Sequence, residues 1–314
     1  MTEVRLRSGP PRGSSVSGPL SATIVFTTGR REPRLDWLID AVDAQSIPGD
    51  DLQLVVIDAA GRRPSEIGFR SASAISDLTC SPPKPTIWQG PQRVTDRDWW
   101  AASSARNTGI VLASRDYVMF VDDRMKLGDQ CLARVRAGAS VRDSVLCGSY
   151  DYLDDPRVVV DHRRVRCPGG RRDCGGGWLY SGLFSLPLAW LLEVNGFEEG
   201  CDGVGMEDVI LGHMLSRRGR RLDFDALMRG VKERLQLGDH HHRMWTCDKN
   251  QGRADSKTRA ALVRFGCRRR TELTPDLRAI RSSLARGGSL PDVDASVEHR
   301  DWYDGQLIRE MVPY

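Results

Sequence analysis

No apolar run in these 314 residues approaches the roughly 20 needed to span a bilayer, so a membrane span is excluded. The opening stretch lacks the apolar h-region of a secretory signal. Its Gly, Pro, Ser and Arg content reads instead as a disordered tail over residues 1–20. The expectation is a cytoplasmic protein. There is no CxxC, and the eight cysteines are scattered, so reduced thiols are the default. Only Cys167 and Cys174, flanking Pro-Gly-Gly-Arg-Arg-Asp, are spaced to bridge or to bind zinc with His162. No internal repeat appears, which argues against solenoids and propellers. What is present is an ordinary hydrophobic content of 40%, in a chain long enough for one large α/β domain with extras or two modest domains.

The net charge is +4, and the basic residues are clustered. Arg163, Arg164, Arg166, Arg171 and Arg172 form one group, Arg217, Arg218, Arg220 and Arg221 a second, and Arg268, Arg269 and Arg270 a third. Such clusters are usually solvated faces. They also keep a polyanionic partner open, with nucleic acid the less favoured form of it.

The patterning alternates between strand and helix. Residues 22–26 read as a strand running into Thr27-Thr28-Gly29-Arg30-Arg31, and Leu35, Leu38, Ile39 and Val42 have helical spacing. Residues 52–57 form a near-continuous apolar run closed by Asp58, as expected of a strand buried on both faces. Residues 62–98 are irregular, with a short strand near 86–88. A helix over 100–113 precedes the buried strand 117–121, which ends in Asp122-Asp123. A helix over 130–137 and a strand over 145–150 continue the series.

The polar, glycine-rich stretch 151–177 reads as a flexible or hairpin insertion. A strand over 178–186 follows, then a helix opened by Pro187 and closed by Asn195-Gly196. A helix over 207–217 follows, and a strand over 221–224 and the segment around 240–245 complete the core. The domain spans 21–266, and 267–314 is a C-terminal extension with a helix over 275–285. Polar residues fall at the carboxyl ends of strands, where open α/β sheets bind ligands.

Two adjacent carboxylates at the end of a buried strand need compensation, because like charges repel and burial adds a desolvation cost. A divalent cation on a diphosphate would supply it. The alternative is a solvated strand-end turn with an N-cap aspartate, and the residues alone leave both open.

The segment Ala105-Arg106-Asn107-Thr108-Gly109-Ile110, followed by Tyr117-Val118-Met119-Phe120-Val121-Asp122-Asp123, resembles the family 2 glycosyltransferases. There an A-R-N-x-G helix precedes a strand ending in a DxD-type motif. The resemblance implies a GT-A fold: Rossmann-like α/β, with a mixed, mostly parallel sheet flanked by helices. It implies that the acidic pair binds a nucleotide diphosphate through Mn²⁺ or Mg²⁺. It extends to Thr27, Thr28, Gly29 and Arg30, and to Asp58, implying contacts to the nucleoside with Asp58 on the base. Arg106 would lie near the base or the diphosphate. Arg124 stands where many relatives have Asp or Asn, which leaves Asp123 as the metal ligand and Asp122 on the nucleotide side.

Downstream, Leu192-Glu193-Val194-Asn195-Gly196-Phe197-Glu198-Glu199 and then Gly205-Met206-Glu207-Asp208 look like the galactosyltransferase-type C-terminal half of GT-A enzymes. An inverting transfer needs a carboxylate that deprotonates the acceptor hydroxyl. Asp208 is the candidate base, and Glu207 the residue that binds acceptor or donor hydroxyls. The alternative is that both merely complement the helix dipole.

In Asp239-His240-His241-His242, an extended chain would put His240 and His242 on one face. The resemblance implies that such a histidine completes the metal shell, suited to Mn²⁺. A surface histidine cluster is the alternative. Trp178 and Tyr180 could stack on a sugar ring or serve as core.

The reading is a metal-dependent, inverting glycosyltransferase using a nucleotide-sugar, with a UDP-sugar favoured. Its acceptor hydroxyl is left unassigned among glycan, protein and modified DNA. A nucleotidyltransferase would show G-x-G-x-R after the first strand, which Thr27-Thr28-Gly29-Arg30-Arg31 does not match. A nucleic-acid-binding module would not explain the order of the acidic pairs.

Overall fold

The computed structural model describes residues 18–86, 89, 101–152, 171–179, 182–202, 207–233 and 274–291. In chain order these hold β1 (Ser21–Thr28), α1 (Leu35–Gln45), β2 (Asp51–Asp58), β3 (Ile75–Ser81) and α2 (Ala102–Leu112). Next come β4 (Tyr117–Asp122), β5 (Met125–Leu127), α3 (Cys131–Val141), β6 (Ser144–Tyr152) and β7 (Arg171–Cys174). The last are β8 (Leu183–Pro187), α4 (Leu188–Glu193), α5 (Glu207–Arg217), β9 (Arg221–Lys232) and α6 (Leu277–Ala285).

One nine-stranded sheet runs in the order β3-β2-β1-β4-β8-β6-β9-β5, with β7 also paired to β9. Strands β3, β2, β1 and β4 are mutually parallel. Strand β8 is antiparallel to both β4 and β6, so β6 runs with β4, and β9 runs with β6. The carboxyl ends of β1, β2, β3, β4, β6 and β9 therefore open on one edge of the sheet. That edge carries the candidate site.

Alternation along the central strands divides the core in two. Ile24, Phe26, Tyr117, Met119 and Val121 point to the face covered by α1 and α3. Val25, Val118 and Phe120 point to the face covered by Ile110 and Val111 of α2, Leu191 of α4 and Leu211 and Leu215 of α5. Both faces are covered, which is why these strands read as near-continuous apolar runs. Helix α2 lies close on β1 because residue 109 is glycine: a Cβ there would fall 2.4 Å from Val25 Cγ1. Helix α6, from the C-terminal extension, packs into the second core layer through Leu277 and Ile280. Its Arg281 Nη1 donates to the carbonyls of Ile110 and Ala113 at 3.0 and 2.6 Å, closing the end of α2.

Several elements differ from the sequence expectation. Strand β3 lies within the stretch read as irregular. It is a sheet edge whose side chains are half-buried, so it carries no apolar run. Part of the expected insertion, Arg171–Cys174, is strand β7, held by ladder bonds to β9 that need no hydrophobic side chains. The expected strand over 178–186 starts only at Leu183, because Gly176–Trp178 makes a 3-10 turn. Gly176 packs on Gly212 of α5 so closely that a Cβ would meet its backbone at 2.6 Å. Pro187 ends β8 and caps α4 rather than opening its first turn. Strand β9 continues well past residue 224, to Lys232. Among the described residues no helix is long and apolar enough to cross a membrane. Cys174 is a free thiol whose sulfur neighbour is Cys147, while Cys167 and His162 lie outside the described residues.

Candidate active site

The turn after β1 is organised by Thr28. Its hydroxyl accepts from Arg30 N at 3.1 Å and donates to Asp123 Oδ2 at 2.7 Å, joining the ends of β1 and β4. At the end of β2, the Asp58 carboxylate accepts from Arg62 Nη2 at 2.8 Å and from Arg62 Nε and N, both at 2.9 Å. The same guanidinium donates to the carbonyls of Arg30 and Arg31, both at 2.7 Å. Asp58 thus fixes the two turns as one wall, and its oxygens are engaged in doing so.

The acidic pair is divided by its surroundings. Asp122 Oδ2 meets Lys232 Nζ at 2.5 Å, and Oδ1 accepts from Arg124 N at 3.1 Å with Arg124 Nε 3.5 Å away. Burial pushes the Asp122 carboxyl up, but Lys232 and Arg124 outweigh it and hold the group well below the usual carboxylate range. For Asp123 burial and the neighbouring Asp122 charge act together, and it is pushed up to about 7. The backbone of this loop is pinned by Arg34 N donating to Asp123 O at 3.1 Å and Glu233 N donating to Arg124 O at 3.0 Å. Glu233 in turn pairs with Arg30 at 3.3 Å and Arg34 at 3.5 Å.

Across from this group stands the start of α5. Arg106 of α2, buried, donates from Nη1 to Glu207 Oε1 at 2.6 Å and lies 5.4 Å over the Phe197 ring. Burial works against the Arg106 charge, but Glu207, Asp208 and Asp122 outweigh it and keep the guanidinium protonated. Glu207 and Arg106 are therefore partners of each other. Half-buried Asp208 accepts from Val209 N at 2.8 Å in the first turn of α5.

Asn107, the other half of the Arg-Asn motif, is a structural tie. Its Nδ2 donates to Phe197 O at 2.9 Å and Glu199 Oε1 at 2.8 Å, and its Oδ1 accepts from Phe197 N at 2.8 Å. Gly196, at φ +70, fits beneath it: a Cβ would fall 2.3 Å from Asn107 Oδ1. Lys84 reaches the other Glu199 oxygen at 2.5 Å, and Asp202 caps α2 by accepting from Ser103 N at 2.5 Å and Ser104 N at 3.0 Å. The two motif-bearing segments are thus parts of one buried network.

The structure brings Thr28, Arg30, Asp122, Asp123 and Arg106 to one edge with Glu207 and Asp208. Trp178 instead sits half-buried with its ring 6.2 Å from Phe224, in the layer between β9 and α5. Tyr180, His240 and His242 lie outside the described residues. In the second arginine cluster, Arg220 pairs with Glu193 at 2.5 Å and lies over Trp190, and Arg221 bridges Asp143 and Asp223. Lys232, Glu233, Lys84 and Asp202 went unnoticed in the sequence. None belongs to a motif, and only the sheet order brings Lys232 to Asp122.

The divalent ion implied by the resemblance finds no complete ligand set among the described residues, because His240 and His242 lie outside them. Among the described residues no three His, Cys, Asp or Glu converge on a metal position. Asp122 already faces an ammonium and a guanidinium, which together carry the formal charge of one divalent ion.

No family model and no curated protein sequence matches the chain. Solved structures match it in fold. Residues 1–349 of S. aureus TarS, in complex with UDP-GlcNAc, align at a TM-score of 0.52 and 13% identity, over 93% of this chain and 82% of that one. GalNAc-T7 with UDP, GalNAc and Mn²⁺ aligns at 0.48 and 12%, over 70% and 44%. S. aureus TarS aligns at 0.47 and 13%, over 68% and 37%, so this chain spans less than half the length of the latter two. At such identities the likeness is one of fold, and the fold is GT-A.

Proposed function

We propose that the protein is a glycosyltransferase that draws on a nucleotide-sugar donor, with a UDP-sugar favoured, and transfers the sugar with inversion. The observation that carries this reading is the opposition of two charged groups across one sheet edge. Thr28, Arg30, Asp122, Arg124 and Lys232 stand on the strand side, and Glu207-Asp208 stand at the start of α5, with Arg106 between them. The turns after β1 and β2, joined through Asp58 and Arg62, form the nucleoside wall.

In this reading Asp208 takes the proton of the acceptor hydroxyl. The acceptor oxygen then bonds to the anomeric carbon as its bond to the phosphate oxygen breaks, and the electron pair leaves on the diphosphate. Arg106 orients Glu207, which holds a sugar hydroxyl. Manganese enters this reading only if His240 and His242 supply it a site, and no step depends on it.

The test is nucleotide release from a panel of nucleotide-sugars by wild type, Asp208→Asn and Asp123→Ala. Release by wild type, with turnover lost and donor binding kept in Asp208→Asn, is the expected result. Failure to bind or cleave any donor overturns the reading. Normal turnover by Asp208→Asn removes the base assignment alone.

A further inference from the structure

We infer that Lys232, assisted by Arg124, is the resident cation that binds the donor diphosphate in the place where a divalent ion would otherwise stand. This rests on the nucleotide-sugar reading above. The Lys232 ammonium is buried, 2.5 Å from Asp122 Oδ2 and 4.8 Å from the centre of the Tyr150 ring. An ammonium has three N–H donors, and the Asp122 ion pair occupies one of them. Arg124 stands in the third position of the acidic motif and reaches the other Asp122 oxygen with both its backbone N and its Nε. The position normally given to a ligand of a cation is here a cation.

A purely structural role is the competing explanation, in which the pair fastens β9 to the loop after β4. That fastening is already made by the backbone: Lys232 pairs with Met125 in the β5 ladder, and Glu233 N bonds to Arg124 O. A buried ion pair adds little stability beyond such bonds. What it does provide is an ammonium fixed at the carboxyl edge of the sheet. As the bond from the anomeric carbon to the phosphate oxygen breaks, negative charge grows on the leaving diphosphate. A preoriented cation stabilises that charge without reorganising. Asp122 is then the positioning residue for Lys232.

The experiment is calorimetric binding of UDP and of uridine to the full chain, each in EDTA and in Mn²⁺. It compares wild type, Lys232→Met and Lys232→Arg, with folding of each checked by circular dichroism. Wild type is expected to bind UDP in EDTA within about threefold of its affinity in Mn²⁺. Lys232→Met should lose UDP affinity by at least roughly tenfold, as when one partner of a buried charge pair is removed, while binding uridine as wild type does. Lys232→Arg should recover part of the loss. A wild type that binds UDP only with Mn²⁺ overturns the inference and leaves the glycosyltransferase reading standing. Equal losses of UDP and uridine in a folded Lys232→Met also overturn it. Failure of wild type to bind UDP, GDP, ADP or dTDP in either condition overturns the reading itself, and the inference with it.

Discussion

Replacing Asn107 with alanine tests whether the Arg-Asn motif is structural in its second residue. The fully buried side chain makes three hydrogen bonds of 2.8–2.9 Å, two of them to the backbone of Phe197 and one to Glu199. Alanine leaves the N–H and the C=O of Phe197 without their side-chain partner, whereas Glu199 keeps Lys84 at 2.5 Å. Each orphaned buried group costs about 1–3 kcal/mol, so the loss is about 2–6 kcal/mol. That is a large share of the roughly 5–15 kcal/mol that holds a domain folded. The assay is urea denaturation, read as a fall in midpoint at constant slope. Asn107→Asp is nearly isosteric and keeps the acceptor for Phe197 N. It also turns a carboxylate oxygen toward Phe197 O and Glu199 Oε1, so it should be no milder than alanine. A loss below about 1 kcal/mol for Asn107→Ala, within the range of ordinary substitutions, refutes the argument, as does a wild-type-like Asn107→Asp.

Gly109→Ala sets two effects against each other. Helix propensity favours alanine by about 1 kcal/mol, while overpacking costs roughly 1–3 kcal/mol. Because the new Cβ would lie 2.4 Å from one methyl of Val25 and 3.2 Å from the other, the clash should win, and a raised melting temperature would contradict this. Asp202 gives a pH dependence. Burial and the nearby Glu199 charge push its carboxyl well above the usual range, against the pull of Ser103 N and Ser104 N. A folded-state pKa above the unfolded 3.8 means that the folded chain binds the extra proton. Its contribution is therefore complete below that value and is lost as pH rises toward the folded pKa, at no more than about 1.4 kcal/mol per pH unit. Urea midpoints from about pH 4 to about pH 7 should fall more steeply for wild type than for Asp202→Asn, and parallel profiles would refute the assignment.

The central strands were legible because burial on both faces leaves an apolar run, as in Leu52 to Ile57 and Tyr117 to Val121. The edge strands were not. Ile75–Ser81 is half-exposed and Arg171–Cys174 is polar, so backbone pairing recruits them with only a few side chains, Ile75, Leu78, Cys80 and Cys174, packed on the core. The site was legible in the same uneven way. Motif spacing placed Thr28, Asp122, Asp123, Glu207 and Asp208 at element ends, since strand and helix termini follow from local pattern. What each of them touches depends on which distant segment the sheet brings alongside. Arg106 and Glu207 are 101 residues apart, and the reach of Arg106 to Glu207 rather than to a ligand is a property of the α2–α5 packing. No local pattern distinguishes Asn107 as a tie from Asn107 as a ligand.

The acidic pair shows how far that dependence goes. Strand β5 begins directly after Asp122-Asp123-Arg124 and pairs antiparallel with the last residues of β9, in register Met125 to Lys232. Two of its three residues, Met125 and Leu127, enter the core. They also return the end of β9 to the end of β4, so that Lys232 meets Asp122 and Glu233 N meets Arg124 O. An arginine in the motif and a lysine over a hundred residues away are therefore one unit, and the two aspartates are driven apart by it. Asp122 is held ionised by both cations against its burial, while burial and the Asp122 charge push Asp123 up to about 7, against the pull of Arg124 and the Thr28 hydroxyl. Carboxylates separated in this way take different tasks. Lys232 exerts the largest pull on Asp122, so Lys232→Met should raise the Asp122 carboxyl, read as a shifted titration by NMR, and an unmoved titration would refute this.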